Sequence, residues 1–126
     1  MPFLLKSEPE TYSFDDLVRD RETTWDGIKN PQALANLRSL KKGDKLVLYH
    51  SNTGKAAVGL ATVLSTDPAD PKNPLVRIQA GKPLPRPKTL AEMRAAPVFA
   101  GSLLFRQFRL SVVPLTNEQY AWLLQP

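Results

Sequence analysis

At 126 residues and 14.0 kDa, with a net charge of +5 and a pI of about 9.7, the chain has the size of one domain built on a single core. It has no cysteine, which excludes disulfides, thiolate metal centres and cysteine nucleophiles, and its single histidine, His50, excludes a metal site made of several imidazoles. No apolar run approaches the roughly 18 residues of a membrane span and the N-terminus carries no basic leader, so one cytoplasmic domain over residues 1–126 is expected.

The charge is unevenly spread. Residues 1–36 carry four Lys/Arg against seven Asp/Glu, whereas residues 37–126 carry thirteen against five. Between Lys72 and Arg109 eight cations (Lys72, Arg77, Lys82, Arg86, Lys88, Arg94, Arg106 and Arg109) face one acid, Glu92. A field of that sign attracts polyanions and suits phosphate contacts, although a solvated basic face has the same composition.

Along the chain, residues 2–6 read as a buried first strand, and Ser13 with Asp16 three residues on caps a short helix over about 14–20. Asn30 as N-cap and Pro31 at the first helical position open a second helix, whose apolar stripe is Ala33, Leu34, Leu37 and Leu40; Lys42-Gly43-Asp44 ends it. Residues 45–49 and 56–64 read as two strands at the sheet's centre, joined by a hairpin turn at Asn52-Thr53-Gly54. Six of the chain's twelve prolines fall between Ser65 and Lys88, so that stretch is expected to loop over the surface, with a strand only at 75–79. Thr89 with Glu92 and Thr116 with Gln119 form capping boxes, the first for a helix to about Ala95, the second for a last helix carrying Tyr120, Trp122, Leu123 and Leu124. Between them, residues 108–113 alternate like a half-buried strand. The sum is an α+β domain: five or six short strands in a small curled sheet or open barrel, with three or four short helices at its ends. Curling hides the edges of strands this short.

Three clusters join flat or apolar groups to small polar ones, as a pocket for a planar hydrogen-bonding ligand requires. In Lys6-Ser7-Glu8-Pro9 the proline stops the strand and turns the Ser7 hydroxyl, the Glu8 carboxylate and freed backbone groups toward a common point. These groups either pair with a base edge or satisfy the strand end. Trp25, before Asp26-Gly27 in a turn-like setting, is either a core anchor or a cavity wall on which a base stacks for about 1–3 kcal/mol. In Tyr49-His50-Ser51, strand alternation puts Tyr49 and Ser51 on one face and His50 on the other. Tyr49 facing the cavity gives a second aromatic wall and Ser51 a further hydroxyl, while His50 reads as structural or peripheral. Asn30 is a helix cap or a base reader.

Taken together, Lys6-Ser7-Glu8-Pro9, Tyr12-Ser13 with Asp16-Leu17, Trp25-Asp26-Gly27-Ile28-Lys29-Asn30 with Gln32-Ala33, Tyr49-His50-Ser51, Val58-Gly59-Leu60-Ala61, Pro87-Lys88-Thr89-Leu90 and Arg109-Leu110-Ser111-Val112 fall in the order of the EVE domain family. The chain resembles that family essentially from end to end. The resemblance implies a PUA-like pseudobarrel, related in architecture to the YTH domains that read a methylated base. It further implies binding of modified bases in nucleic acid without changing them, at a site drawn from Lys6, Ser7, Glu8, Pro9, Trp25, Asn30, Tyr49, His50 and Ser51. Lys6, Lys29, Arg106 and Arg109 are the cations that the family pattern places near phosphate. Four departures bear on that site: Phe3 stands where Trp or Tyr is common, Pro31 replaces an aromatic, Leu34-Ala35 replaces Arg-Asn, and Leu75 stands near a common Trp.

Three functions suit these residues. The first is a non-enzymatic reader of a modified base in DNA or RNA, in which Trp25 and Tyr49 sandwich a flipped base while the basic segment holds phosphates. The second is a small-molecule sensor or interaction module using the same pocket. The third is a hydrolase using Glu8 and His50, which strand alternation disfavours. The first is adopted: a monomer whose partner is nucleic acid, with no metal, cofactor or membrane involved.

Overall fold

The computed structural model describes residues 2–26, 28–51, 54–67, 69–70, 72, 74–107 and 109–126. At its centre β1 (Phe3–Ser7) runs parallel to β3 (Lys45–His50), in register from Phe3 beside Leu46 to Ser7 beside His50. Parallel neighbours need a crossover, and here α1 (Phe14–Asp20), β2 (Glu22–Trp25) and α2 (Pro31–Ser39) supply it. β4 (Ala56–Asp67) returns antiparallel to β3, and β5 (Leu75–Thr89) antiparallel to β4. Then come α3 (Leu90–Ala95), a 3-10 turn (Pro97–Phe99), α4 (Leu103–Arg106), β6 (Val112–Pro114) and α5 (Asn117–Leu123). With β2 paired to β5 and β6 to β1, the sheet order is β2-β5-β4-β3-β1-β6. Leu4, Leu5, Leu46, Val47 and Leu48 are all fully buried, as expected for parallel central strands covered on both faces. Among the described residues, no helix is long and apolar enough to cross a membrane.

The helix starts follow local chemistry. Ser13, Thr89 and Thr116 each accept the backbone N–H of the residue three further on, and Asp16, Glu92 and Gln119 reach back to the cap N–H, completing three capping boxes. Asn30 Oδ1 accepts the N–H groups of Gln32 and Ala33, both at 3.0 Å, with Pro31 at the first helical position.

The strands depart more from expectation. β2 has no counterpart in the sequence reading, because three of its four residues, Glu22, Thr23 and Thr24, are polar and only Trp25 is buried. β5 continues to Thr89, through the prolines that were expected to force a loop. Pro83, Pro85 and Pro87 are spaced by two, so all three turn the missing donor to one edge, and β2 covers β5 only between Val76 and Gln79. The strand expected over 108–113 is shorter and later, Val112–Pro114, and the segment before it forms α4; Phe108 itself lies outside the described residues. Asn52 and Thr53 of the expected hairpin turn lie outside them as well. The described residues hold five α-helices and a 3-10 turn where three or four helices were expected.

The sheet is curled into a half-barrel. Its pairing slips between Ala57 and Gly59, Gly59 and Ala61, and Val63 and Ser65, and such bulges bend a strand and raise its twist. The C-terminal end is tied down by Lys88, a buried residue of β5 whose ammonium donates to the carbonyls of Gln125, Arg86 (3.3 Å) and Leu123 (3.5 Å). Inside the curl, the Phe14 ring lies directly on Gly59 of β4, in the space that any side chain there would fill. Gly59→Ala is therefore expected to destabilise the domain by about 1–3 kcal/mol in urea melts. An unchanged midpoint would mean that the Phe14 ring moves aside freely.

Candidate functional site

β1 and β2 lie three strands apart in the sheet, separated by β3, β4 and β5, yet their ends line one cavity of about 410 Å3. Only the curl of the sheet can bring them together. From β1 and the turn after it come Lys6, Ser7, Glu8, Thr11 and Tyr12; from β2 and just beyond come Thr23, Thr24, Trp25, Asp26 and Ile28.

Local hydrogen bonds shape the first wall. Past Ser7 the chain folds back on itself, the Glu8 carbonyl accepting the N–H groups of Thr11 (2.9 Å) and Tyr12 (2.8 Å) while the Ser7 hydroxyl donates to the Tyr12 carbonyl. This turn delivers the Tyr12 ring to Trp25 in an edge-to-face contact, with centroids 6.3 Å apart and planes at 73°. The Tyr12 hydroxyl donates to Asp20 Oδ2 at 2.9 Å, and Arg19 holds the other oxygen of that carboxylate at 3.1 Å. Burial, aided by Asp20, pushes the Tyr12 phenol above its ordinary value, and the Arg19 and Tyr12 hydrogen bonds hold Asp20 below its own. On the opposite wall Arg77 donates to Thr24 Oγ1 (3.1 Å) and to Glu22 (3.2 Å), orienting the Thr24 hydroxyl. Burial also holds the Lys6 ammonium below the usual lysine value.

Of the residues singled out in the sequence, Lys6, Ser7, Glu8 and Trp25 line this cavity; Pro9, Asn30, Tyr49, His50, Ser51, Arg106 and Arg109 do not. Tyr49 is buried, with Lys6 Nζ 6.0 Å from its ring centroid, so the second ring of the cavity is Tyr12 and not Tyr49. The Asn30 side chain is committed to capping α2. Ser51 donates its backbone N–H to the Ser7 carbonyl at 2.9 Å, extending the β1–β3 pairing beyond His50. Arg106 ends α4, and Arg109 stands shortly before Ser111, whose carbonyl takes the Lys6 N–H at 2.9 Å. Lys29 is exposed next to Ile28. Thr11, Tyr12, Thr23 and Ile28 also line the cavity and were not proposed from the sequence, whereas Thr24 and Asp26 flank Trp25 in the Thr24-Trp25-Asp26-Gly27 cluster, which pairs the indole with small polar groups. Apart from the place of Tyr12 and Ile28 in the family pattern, no sequence signal singles out the other four, because their convergence depends on the curl.

A sequence model of the EVE domain matches residues 2–126. The chain belongs to the EVE domain family. Human thymocyte nuclear protein 1 is 31% identical to this EVE domain over 97% of the chain and 72% of its own length. Among solved structures, Rpa0253 of Rhodopseudomonas palustris is 37% identical, with a TM-score of 0.89 over 98% of this chain and 90% of that one. Human THYN1, solved in complex with DNA containing 5-methylcytosine, is 29% identical, with a TM-score of 0.85 over 98% of this chain and 96% of its own. The half-barrel of this EVE domain is accordingly the PUA-like architecture that the motifs implied.

The family triplet around His50 has a structural use here. His50 Nε2 accepts the backbone N–H of Phe14 at 3.0 Å, closing the start of α1, a bond that only the neutral ring can make. Burial holds the imidazole below its ordinary 6.5, against the opposing pull of Asp15 and Glu10. The unfolded chain therefore binds this proton more readily than the folded one, and the stability contributed by the neutral ring is present above pH 6.5 and lost as pH falls toward the lowered folded value. His50→Gln, whose side-chain oxygen accepts the same N–H without titrating, is expected to lose less stability than the parent between about pH 7.5 and 5.5 in urea melts. Equal losses in the two proteins would show that His50 carries no such linkage.

Proposed function

We propose that this EVE domain binds nucleic acid and takes a modified base into the cavity between the ends of β1 and β2, without chemical change to the base. The observation that carries this reading is the cavity itself: one open hollow with an indole, a phenol, hydroxyls, two carboxylates and a lysine on its walls. Its volume of about 410 Å3 lies within the range of roughly 300–1,000 Å3 usual for sites that enclose small planar ligands. Trp25 and Tyr12 meet edge to face, so they form a corner in which a base stacks on one ring and abuts the other, in place of a sandwich. Glu8 and Asp26 accept hydrogen bonds from base amino or ring N–H groups, while Thr11, Thr23 and Thr24 serve as donors or acceptors and Ser7, whose proton goes to the Tyr12 carbonyl, as an acceptor. A fold of the same family, that of human THYN1, is seen holding DNA with a methylated base.

A binding role without catalysis also agrees with the placement of the two groups that a hydrolase would use. Glu8 is on the cavity wall, whereas His50 is off it with Nε2 engaged by Phe14. General acid–base work needs both within hydrogen-bond reach of one reacting atom.

The test is a titration with single-stranded and duplex oligonucleotides carrying a panel of modified bases, at two salt concentrations, beside the free nucleosides. Affinity is expected to fall with salt and to favour one class of modification. Trp25→Ala is expected to weaken binding by about 1–3 kcal/mol, the worth of one base–aromatic stack. Because Trp25 is only 8% exposed, its variant is checked by thermal melting, and Tyr12→Leu supplies a second probe of the same corner. Equal affinity for every base would overturn the reading. Tight binding of free nucleosides with no gain from the oligonucleotide would identify a small-molecule sensor, and release of product would identify an enzyme.

A further inference from the structure

A second cluster of flat and cationic groups shares Lys6 with the cavity. Lys6 reaches over the Tyr49 ring, with Nζ 6.0 Å from the centroid. On Tyr49 the positive charge of Arg94, from α3, partly offsets the effect of burial on the phenol. The Arg94 guanidinium lies over the Phe105 ring of α4, 5.3 Å from its centroid. Beside it, Leu90, Ala91, Arg94 and Ala95 line a shallow, mostly apolar hollow of about 370 Å3 on α3. Lys6 on the cavity wall and Arg94 of α3 thus both neighbour the buried Tyr49, and the Arg94 guanidinium rests on an aromatic ring beside an apolar floor.

The rest of the basic segment is partly committed elsewhere. Lys88 is buried against three backbone carbonyls, Arg77 pairs with Glu22, and Arg86 pairs with Glu92 at 2.5 Å. Arg94, by contrast, is exposed and presents its planar group as a stacking surface. Guanidinium planes and small apolar floors hold unpaired bases by stacking, and the same cation neutralises a neighbouring phosphate.

Resting on the reading of the cavity as a base site, we infer that the strand carrying the base leaves the cavity past Lys6 and sets one flanking nucleotide on Arg94 and the α3 hollow, its phosphate lying between Lys6 and Arg94. The domain reads a short single-stranded stretch around the extruded base, on one side of it. The chemistry selects a nucleic-acid strand over a free nucleoside, since only a strand supplies both the second flat ring and the intervening charge.

The experiment compares a modified nucleoside with di- and trinucleotides that extend it on the 5′ side only or on the 3′ side only, in the parent, Arg94→Gln, Arg94→Lys and Phe105→Leu. One direction of extension is expected to raise affinity in the parent by about 5- to 150-fold, the range spanned by a single base stack. Arg94→Gln is expected to lose most of that gain and to lower the slope of log affinity against log salt by about 0.7, one phosphate on a single strand. It leaves the nucleoside unaffected. Arg94→Lys keeps the salt slope and loses the stacking gain. If Arg94→Gln matches the parent on every extended ligand, or if it weakens the bare nucleoside equally, the inference is overturned while the cavity reading stands. Failure of the parent to bind any modified ligand would instead overturn the cavity reading.

Discussion

The edge-to-face contact of Tyr12 on Trp25 is the interaction on which the site depends. These two rings come from opposite reaches of the sheet, one just past β1 and the other at the end of β2, with three strands between. Their contact sets the distance between the cavity walls, and each ring is held from behind. Tyr12 is fixed by the Ser7 hydroxyl at its backbone and by Asp20 at its phenol, and Trp25 by its place opposite Val76 in the β2–β5 ladder. Without that contact the hydroxyls and carboxylates would sit on separate surfaces, each solvated and none confronting a common ligand. A site held by stiff aromatic rings and supported from behind loses little entropy when it fills.

The same curl explains why α1 has to start where it does. Phe14 packs on Gly59 in the bulged middle of β4, and His50 receives the Phe14 N–H from the end of β3, so the helix is fixed at its first residue by two strands at once. The short turn that carries Glu8 and Tyr12 is thereby held between the end of β1 and a rigid helix start. His50, read from the sequence as structural or peripheral, serves here as an uncharged acceptor, and its burial favours that neutral state.

Charge follows a similar division of labour. Within the basic segment Lys88 anchors the chain's last turn, and Arg77 and Arg86 pair with neighbouring acids. Such pairs on a surface add little to stability, but Arg77 also aims the Thr24 hydroxyl along the cavity wall. A count of cations along a sequence therefore overstates how many remain for a polyanion.

Helix starts, the central strands and family membership were legible from residue order alone, because caps and buried strands are local: Ser13, Asn30, Thr89 and Thr116 meet partners two or three residues away. Part of the cavity was legible too, in Lys6, Ser7, Glu8 and Trp25, since a strand stopped by proline and an indole outside any helical stripe mark themselves. The course of β5 through three prolines was not, because a missing N–H costs a ladder nothing on an edge that no strand covers, and only the pairing of β2 shows where that edge begins. Nor was the exchange of Tyr49 for Tyr12. Strand alternation assigns Tyr49 a face, but which face meets a cavity depends on how strongly the sheet bends, and that bend is the sum of bulges and long-range packing that no short stretch of sequence encodes. The amino-acid order thus determined the elements, their caps and the chemical stock of the site; the tertiary structure alone decided which of those groups confront one another, because convergence across a curled sheet joins residues far apart in the chain.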